Sequence, residues 1–302
     1  MSDLLPAALP EAFDRLLRGA IDVHVHGQPD VSAALPNRGS DVDVARLAQA
    51  YGMGGWVLKS HLWATMDRAR AIRDALGGTF EVHGSITLNP PVGGLEPSVV
   101  ELAAAHGATV VFLPTWGAAA DLDRGGYISM LLGRVSPSFA EYSGRTAITL
   151  LENGVLSGRA RAVVDACHGL GLALATGHAS VAESRAVAAY CAGIGQRLLI
   201  THPLHYTTEL REFAEMGAFL EFANAPLVHP DGHLTVRDVH EAIAAVGPDH
   251  AILSTDVFSR WVPPEPECLR MFVEQLFYLG WTAEQIATMV VTNPRTFLGA
   301  SA

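Results

Sequence analysis

The feature that most constrains this chain is a rhythm. Short apolar runs recur along its whole length, and each gives way to a stretch whose apolar residues repeat at helical spacing. The runs are Ile21–His26, Gly55–His61, Phe80–Leu88, Ala108–Leu113, Gly171–Thr176, Arg197–Thr201, Ala218–Phe222 and His250–Ser254. Runs apolar on both faces suit strands covered on both sides, as in a parallel sheet. Helical patterns lie between them at Val42–Tyr51, Met66–Leu76, Pro97–His106, Gly158–His168, Val181–Ala192, Thr208–Met216 and Thr235–Val246. Glu265–Leu279 and Thr282–Val291 follow the last run, and a short amphipathic stretch at 11–19 leads into the first. Ser40 or Asp41 can cap the first of these helices and Gly52 can end it. Eight strands alternating with helices over 302 residues predict an α/β fold, a (β/α)8 TIM barrel spanning residues 1–302 as one domain. A doubly wound open sheet is the alternative. The first strand is not followed by GxGxxG, which weakens the dinucleotide-binding version of that alternative.

The rhythm breaks once. Gly117–Arg145 has scattered Gly, Ser, Arg and aromatic residues without a period, and predicts an irregular lid-like insertion at 117–146, after strand four. Thr146–Leu151 reads as a short strand with a turn at Asn153-Gly154, part of the same excursion.

Polar residues fall where the runs end. His24 and His26 close the first, Lys59 and His61 the second, His178 the fifth, His202 the sixth and Asp256 the eighth. Side chains alternate along a strand, so His24 and His26 should share one face and Val23 and Val25 the other. Two neutral imidazoles on one face can grip a divalent ion. Each residue alone has an ordinary reading: His178 and His202 as histidines at helix starts, Asp256 as a helix cap. Their joint placement at strand ends, which a barrel gathers on its catalytic face, points to a metal site.

This order of HxH on strand one, His on five and six, and Asp on eight resembles the amidohydrolase superfamily of metal-dependent hydrolases. The tail Asn293-Pro294-Arg295-Thr296-Phe297-Leu298-Gly299 is similar to that superfamily's usual ending. The resemblance implies a barrel holding one or two divalent metals, Zn foremost, with Mn or Fe as alternatives. By position, His24, His26 and Asp256 would hold the more buried ion, and His178 and His202 the more exposed one. Binuclear members usually bridge their metals with a carbamylated lysine or a glutamate on strand four, but here that strand ends Leu113-Pro114-Thr115-Trp116. Lys59 on strand two is the natural substitute, as a carbamate ligand or else as a cation that binds an anionic substrate group. Glu152 is a lesser candidate for the missing carboxylate.

The expected chemistry is hydrolysis of an amide, lactone or related ester bond in a small molecule, with Asp256 as the proton carrier and Lys59 as a second catalytic residue. Substrate contacts are expected from His61, Asn89, Thr115, Trp116, Arg145, His205, Tyr206 and Asn224, with Arg134 and Arg124 of the insertion as further cations. The alternatives are a single-metal decarboxylase or deaminase of the same superfamily, a TatD-like phosphoesterase, or a non-catalytic sensor. A net charge of −11 disfavours a nucleic-acid partner. Three scattered cysteines and the absence of a signal-like or membrane-spanning run fit a soluble cytoplasmic protein, and apolar outer helices are compatible with a homo-oligomer.

Overall fold

Eight short strands form one parallel sheet in the computed structural model, which describes residues 15–34, 39–258 and 262–299. They are β1 (Ile21–His26), β2 (Gly55–Lys59), β3 (Glu81–Thr87), β4 (Ala108–Phe112), and then, after the two-residue strands β5 (Leu151–Glu152) and β6 (Val155–Leu156), β7 (Ala173–Ala175), β8 (Leu198–Ile200), β9 (Phe219–Ala223) and β10 (Ala251–Ser254). Their spatial order is β1-β2-β3-β4-β7-β8-β9-β10, with helices in the connections. The ends of the sheet meet through Asp256, whose N–H donates to the His24 carbonyl (3.0 Å). Asp22 of β1 completes the seam by accepting from the Thr255 hydroxyl at 2.5 Å and from its N–H at 3.2 Å. This is the (β/α)8 barrel.

The interior is filled by Val23, Val57, Val110, Phe112, Ala173, Ala175, Leu199 and Ile252. Phe297 of the last helix joins this cluster and meets Phe219 at the first residue of β9, so the tail closes the N-terminal end of the barrel. Asn293 pins that tail by donating to the carbonyls of Pro248 and Ala251. A larger apolar layer, including Trp56, Leu58, Val111, Leu220 and Leu253, lies between strands and helices. Side-chain caps start several helices: Ser40 receives the Asp43 N–H, and Ser180 with Glu183 and Thr235 with Asp238 form reciprocal capping boxes.

Strand β1 departs from simple alternation. Its pairing with β2 shifts by one residue between Asp22 and Val25. An extra residue of this kind re-aims side chains. Val23 consequently packs inside the barrel, Val25 packs in the outer layer, and His24 and His26 both face the C-terminal mouth. The two valines therefore do not share a face.

The segment after β4 is not irregular. It folds as helices Ala119–Asp123, Tyr127–Val135 and Phe139–Thr146, packed through Ile128, Leu132 and Phe139 onto Trp116 and Val31. The first helix has five residues, and the other two are amphipathic but short and interrupted by glycine and serine, so their period is easily missed in the sequence. The expected strand at Thr146–Leu151 is replaced by the end of the third helix and by the β5–β6 hairpin, which turns at Asn153-Gly154 with both residues at positive φ (52° and 78°). The expected helix at 208–216 shortens to Arg211–Glu215. Of the leading stretch, residues 11–14 lie outside the described residues and Arg15–Leu17 form a single 3-10 turn.

Candidate metal centre and substrate pocket

The bulge in β1 brings His24 and His26 to Asp256. His24 Nε2 and His26 Nε2 lie 3.2 Å apart. Asp256 Oδ1 lies 2.9 Å from the first and 3.0 Å from the second. The far nitrogens are held separately. His24 Nδ1–H donates to Glu221 Oε1 at 2.7 Å, and His26 Nδ1 lies 3.0 Å from Asp30 Oδ2. A carboxylate only accepts, so a proton sits on Nδ1 of His24, and Nε2 is the atom turned toward Asp256 and His26. Two imidazole nitrogens and a carboxylate oxygen thus converge on one point, which either a proton on a ring nitrogen or a metal ion displacing that proton satisfies.

The electrostatics agree. Burial opposes charge on the His24 ring, yet Asp256 and Glu221 outweigh it and drive its pKa up to about 9. Burial likewise opposes ionisation of Asp256, but His24, with hydrogen bonds from His24 and His26, holds the carboxyl well below the usual range. The residues present fit a divalent ion: two imidazole nitrogens and one carboxylate oxygen, each ring oriented by a carboxylate behind it.

The backbone carries a matching signal. Among the described residues, only Asn153, His202 and Asp256 are non-glycine residues with positive φ, the last two at 28° and 52°. Asn153 serves a hairpin turn; the other two sit at the mouths of β8 and β10, where strain marks functional geometry.

Lys59 is fully buried at the end of β2. Its Nζ lies 2.9 Å from His24 Nε2 and 5.2 Å from the centre of the Phe112 ring, which occupies the inward position at the end of β4. Burial pushes the Lys59 pKa down, against the pull of Asp256 and Glu221. Glu152, offered by the sequence as a carboxylate for the site, is exposed in the β5–β6 hairpin and plays no part.

His178 and His202 lie beside this centre without joining its cluster of ligand atoms. Their rings are 5.1 Å apart, and His202 Nε2 is 3.8 Å from Asp256 Oδ2. His178 Nδ1 donates to Asp121 Oδ1 at 2.8 Å, so the insertion reaches into the site. His61 stacks on His26 with ring centres 4.3 Å apart, and its Nδ1 is bound by Asp30. Asp30 also accepts from the Ser60 hydroxyl and the His61 N–H, which makes it a hub under both rings.

Above the centre opens a pocket of about 300 Å³. Asp256, His178, His202, His205, His61 and Tyr206 line its floor and near walls, and Arg124, Tyr127, His229, His233 and Phe258 line the remainder. Several expected substrate contacts are elsewhere. Asn89 and Thr115 are buried and bonded to each other, with Asn89 also donating to the His61 carbonyl. Trp116 is buried under the insertion, its Nε1–H donating to the same carbonyl at 2.7 Å. These three shape the loop that carries His61 and do not line the pocket. Arg145 turns to solvent, 3.6 Å from Glu141 one helical turn away, because its short helix buries the opposite face. Asn224 is buried with neither side-chain amide atom bonded, and does not line the pocket.

The residues that sequence reasoning passed over are Glu221, Asp30, Asp22 and Asp121. Glu221 and Asp22 had a readable signal, a lone acid inside an otherwise apolar strand. Asp30 and Asp121 lie in a loop and in the insertion, where sequence gives no face to read.

A family profile described as a family of unknown function (DUF6282) matches residues 19–221, which takes in every strand-end ligand candidate except Asp256. No curated protein matches the sequence. Among solved structures, an amidohydrolase from Pseudomonas aeruginosa superposes with a TM-score of 0.63 at 13% identity, over 96% of this chain and 98% of that one. Organophosphorus hydrolase from Deinococcus radiodurans gives 0.60 at 16% identity, over 95% and 94%. A protein assigned as a 2-pyrone-4,6-dicarboxylic acid hydrolase from Pseudomonas putida gives 0.58 at 17% identity, over 93% and 97%. Likeness at these identities establishes a shared fold, the (β/α)8 barrel.

Proposed function

The chain belongs to a family of unknown function (DUF6282) and shares its barrel fold with solved amidohydrolases, and from that premise we propose that it is a metal-dependent hydrolase acting on an amide, lactone or related ester bond of a small molecule. The observation that carries this reading is the convergence of His24 Nε2, His26 Nε2 and Asp256 Oδ1 at the barrel mouth, on the floor of a small-molecule pocket. Zinc suits this donor set best, with Mn or Fe as alternatives. A divalent ion held there supplies Lewis acidity, making hydroxide available near neutral pH and polarising the bond under attack.

The chain's own residues do the rest. Glu221 and Asp30 fix the ring orientations of His24 and His26, so the ligands need little rearrangement. Asp256, ionised and reaching into the pocket, takes a proton from the attacking water and passes it to the leaving group. His202 stays neutral, because burial and the neighbouring His205 hold its pKa well below the usual value, and it can hydrogen-bond the substrate without competing for the proton.

Lys59 Nζ stands 2.9 Å from the His24 nitrogen that an ion would take. Ion binding therefore requires the Lys59 amine to swing away or to join the ion as a ligand, and carbamylation achieves the second. Zinc content that rises with bicarbonate and falls in Lys59→Ala supports a carbamate ligand; content indifferent to both supports an amine that yields.

The test of the main reading is elemental analysis of purified protein together with a hydrolase substrate panel, run as isolated, after chelation and after zinc is restored. Activity that is lost and regained with the metal supports it, and protein that takes up no divalent ion refutes it. A second reading, a single-ion decarboxylase or deaminase, would use His178 beside His24, His26 and Asp256 without a bridging group, and is supported by one feature: Asp121 holds His178 Nδ1 as Glu221 holds His24 Nδ1, which leaves Nε2 as the ligand atom. CO2 or ammonia release from panel compounds without hydrolysis separates the two.

A further inference from the structure

The pocket has a polarity that its metal end does not explain. Among the described residues lining it, Arg124 is the one permanent cation. The Arg124 guanidinium lies over the Tyr206 ring, 5.5 Å from its centre, and Nη2 donates to the His178 carbonyl at 2.8 Å. Its Nε and Nη1 groups have no hydrogen-bond partner among the described residues. Asp121, the nearest acid, is 3.9 Å away and is engaged more closely by His178, at 2.8 Å. The side chain is thus held in place by ring and carbonyl while keeping N–H donors to spare, which is how an arginine presents itself to a ligand.

Resting on the hydrolase reading, we infer that the substrate is a small planar carboxylate whose anionic end is read by Arg124, with its body between Tyr206 and Phe258 and its scissile end toward Asp256. The shape of the cation selects a carboxylate. One arginine faces this space, and its planar fork matches the two oxygens of a carboxylate. Away from the metal end, where Asp256 is set against the ion it would hold, Asp121 and Asp231 line the pocket, and among the described residues no second permanent cation is there for a dianion. A volume of about 300 Å³ holds one ring with its substituents, not a polymer. The insertion after β4 then serves the site directly, because its first helix supplies Asp121 to orient His178 and ends on Arg124, which selects the substrate.

Benzoate is the probe, with benzamide as its uncharged isostere and phenylphosphonate as the dianion, each titrated by calorimetry into zinc-loaded and metal-free full-length protein. Benzoate should bind in both metal states, with benzamide at least tenfold weaker, and Arg124→Gln should weaken benzoate by ~10–100-fold, as for a lost charge-assisted hydrogen bond. Arg124→Lys should retain part of the affinity, and the zinc content of both variants should equal wild type. Equal binding of benzoate and benzamide overturns the inference, as does preference for phenylphosphonate. Benzoate binding that survives Arg124→Gln but vanishes with the metal also overturns it, because the carboxylate would then be a metal ligand. Failure of the hydrolase reading looks different: zinc uptake would be absent while Arg124-dependent benzoate binding persisted.

Discussion

At the scale of single residues, the site separates groups that would touch an ion from groups that aim those groups. Asp256 belongs to the first set. Asp256→Asn keeps the shape of the side chain but removes the base, so turnover of an identified substrate should fall ~10²–10⁴-fold. Near wild-type turnover in that variant would remove Asp256 from the proton path. Glu221 belongs to the second set. It receives the His24 Nδ1–H, the Ser254 hydroxyl at 2.6 Å and the His202 N–H at 3.2 Å, all inside the barrel. Glu221→Gln is isosteric, yet it offers one acceptor oxygen where three donors are waiting. Zinc affinity should drop ~10–100-fold, the usual cost of losing a carboxylate behind a metal-bound imidazole. Competition against a chromophoric chelator measures it. Affinity equal to wild type would mean that His24 is held in place by packing alone.

At the scale of elements, the strands were readable because each is a short apolar run ending in a polar residue, and the barrel places such ends together. What was not readable follows from physics that a strand pattern does not carry. The bulge in β1 is a register shift against β2, visible only once both strands are paired, and it sends Val23 and Val25 to different layers. The insertion's helices are short and are held by Trp116 just before them and by Val31, distant in sequence, so their packing is not announced by a long local period. Trp116 illustrates the consequence: an aromatic residue at a strand mouth reads as a substrate contact, whereas it is the anchor between the insertion and the His61 loop. Trp116→Ala should cost ~3–5 kcal/mol of stability, the range for emptying a buried aromatic site. Arg145→Ala, in the exposed turn of the same insertion, should leave stability and turnover unchanged. Urea unfolding of the two variants side by side tests the assignment, which fails if Trp116→Ala unfolds like wild type.

At the scale of the molecule, stability comes from two sources that can be measured apart. One is the apolar barrel with its helical shell, which also encloses the cysteines. Cys167, Cys191 and Cys268 are all buried and form no disulfide, and burial pushes the Cys167 and Cys191 thiols up to about 12. A raised pKa leaves almost no thiolate at neutral pH, so Ellman's reagent should modify no thiol in the native protein and three after unfolding. Rapid native reaction would mean that the barrel opens where it is drawn closed. The other source is the site itself, where Asp256 and two imidazoles are held together around a point that calls for positive charge. An ion that binds only the folded state adds about 2.7 kcal/mol when present at about 100 times its dissociation constant. For a domain of this size each kcal/mol moves Tm by about 2–4 °C, so zinc should raise the Tm of metal-free protein by roughly 5–10 °C. The rise should be reversed by chelator and should vanish in His26→Ala, which removes one ligand and leaves the barrel core intact. A Tm indifferent to zinc in wild type, or an equal rise in His26→Ala, would place the ion elsewhere, and the triad would have to be held by the Lys59 amine as its resident cation.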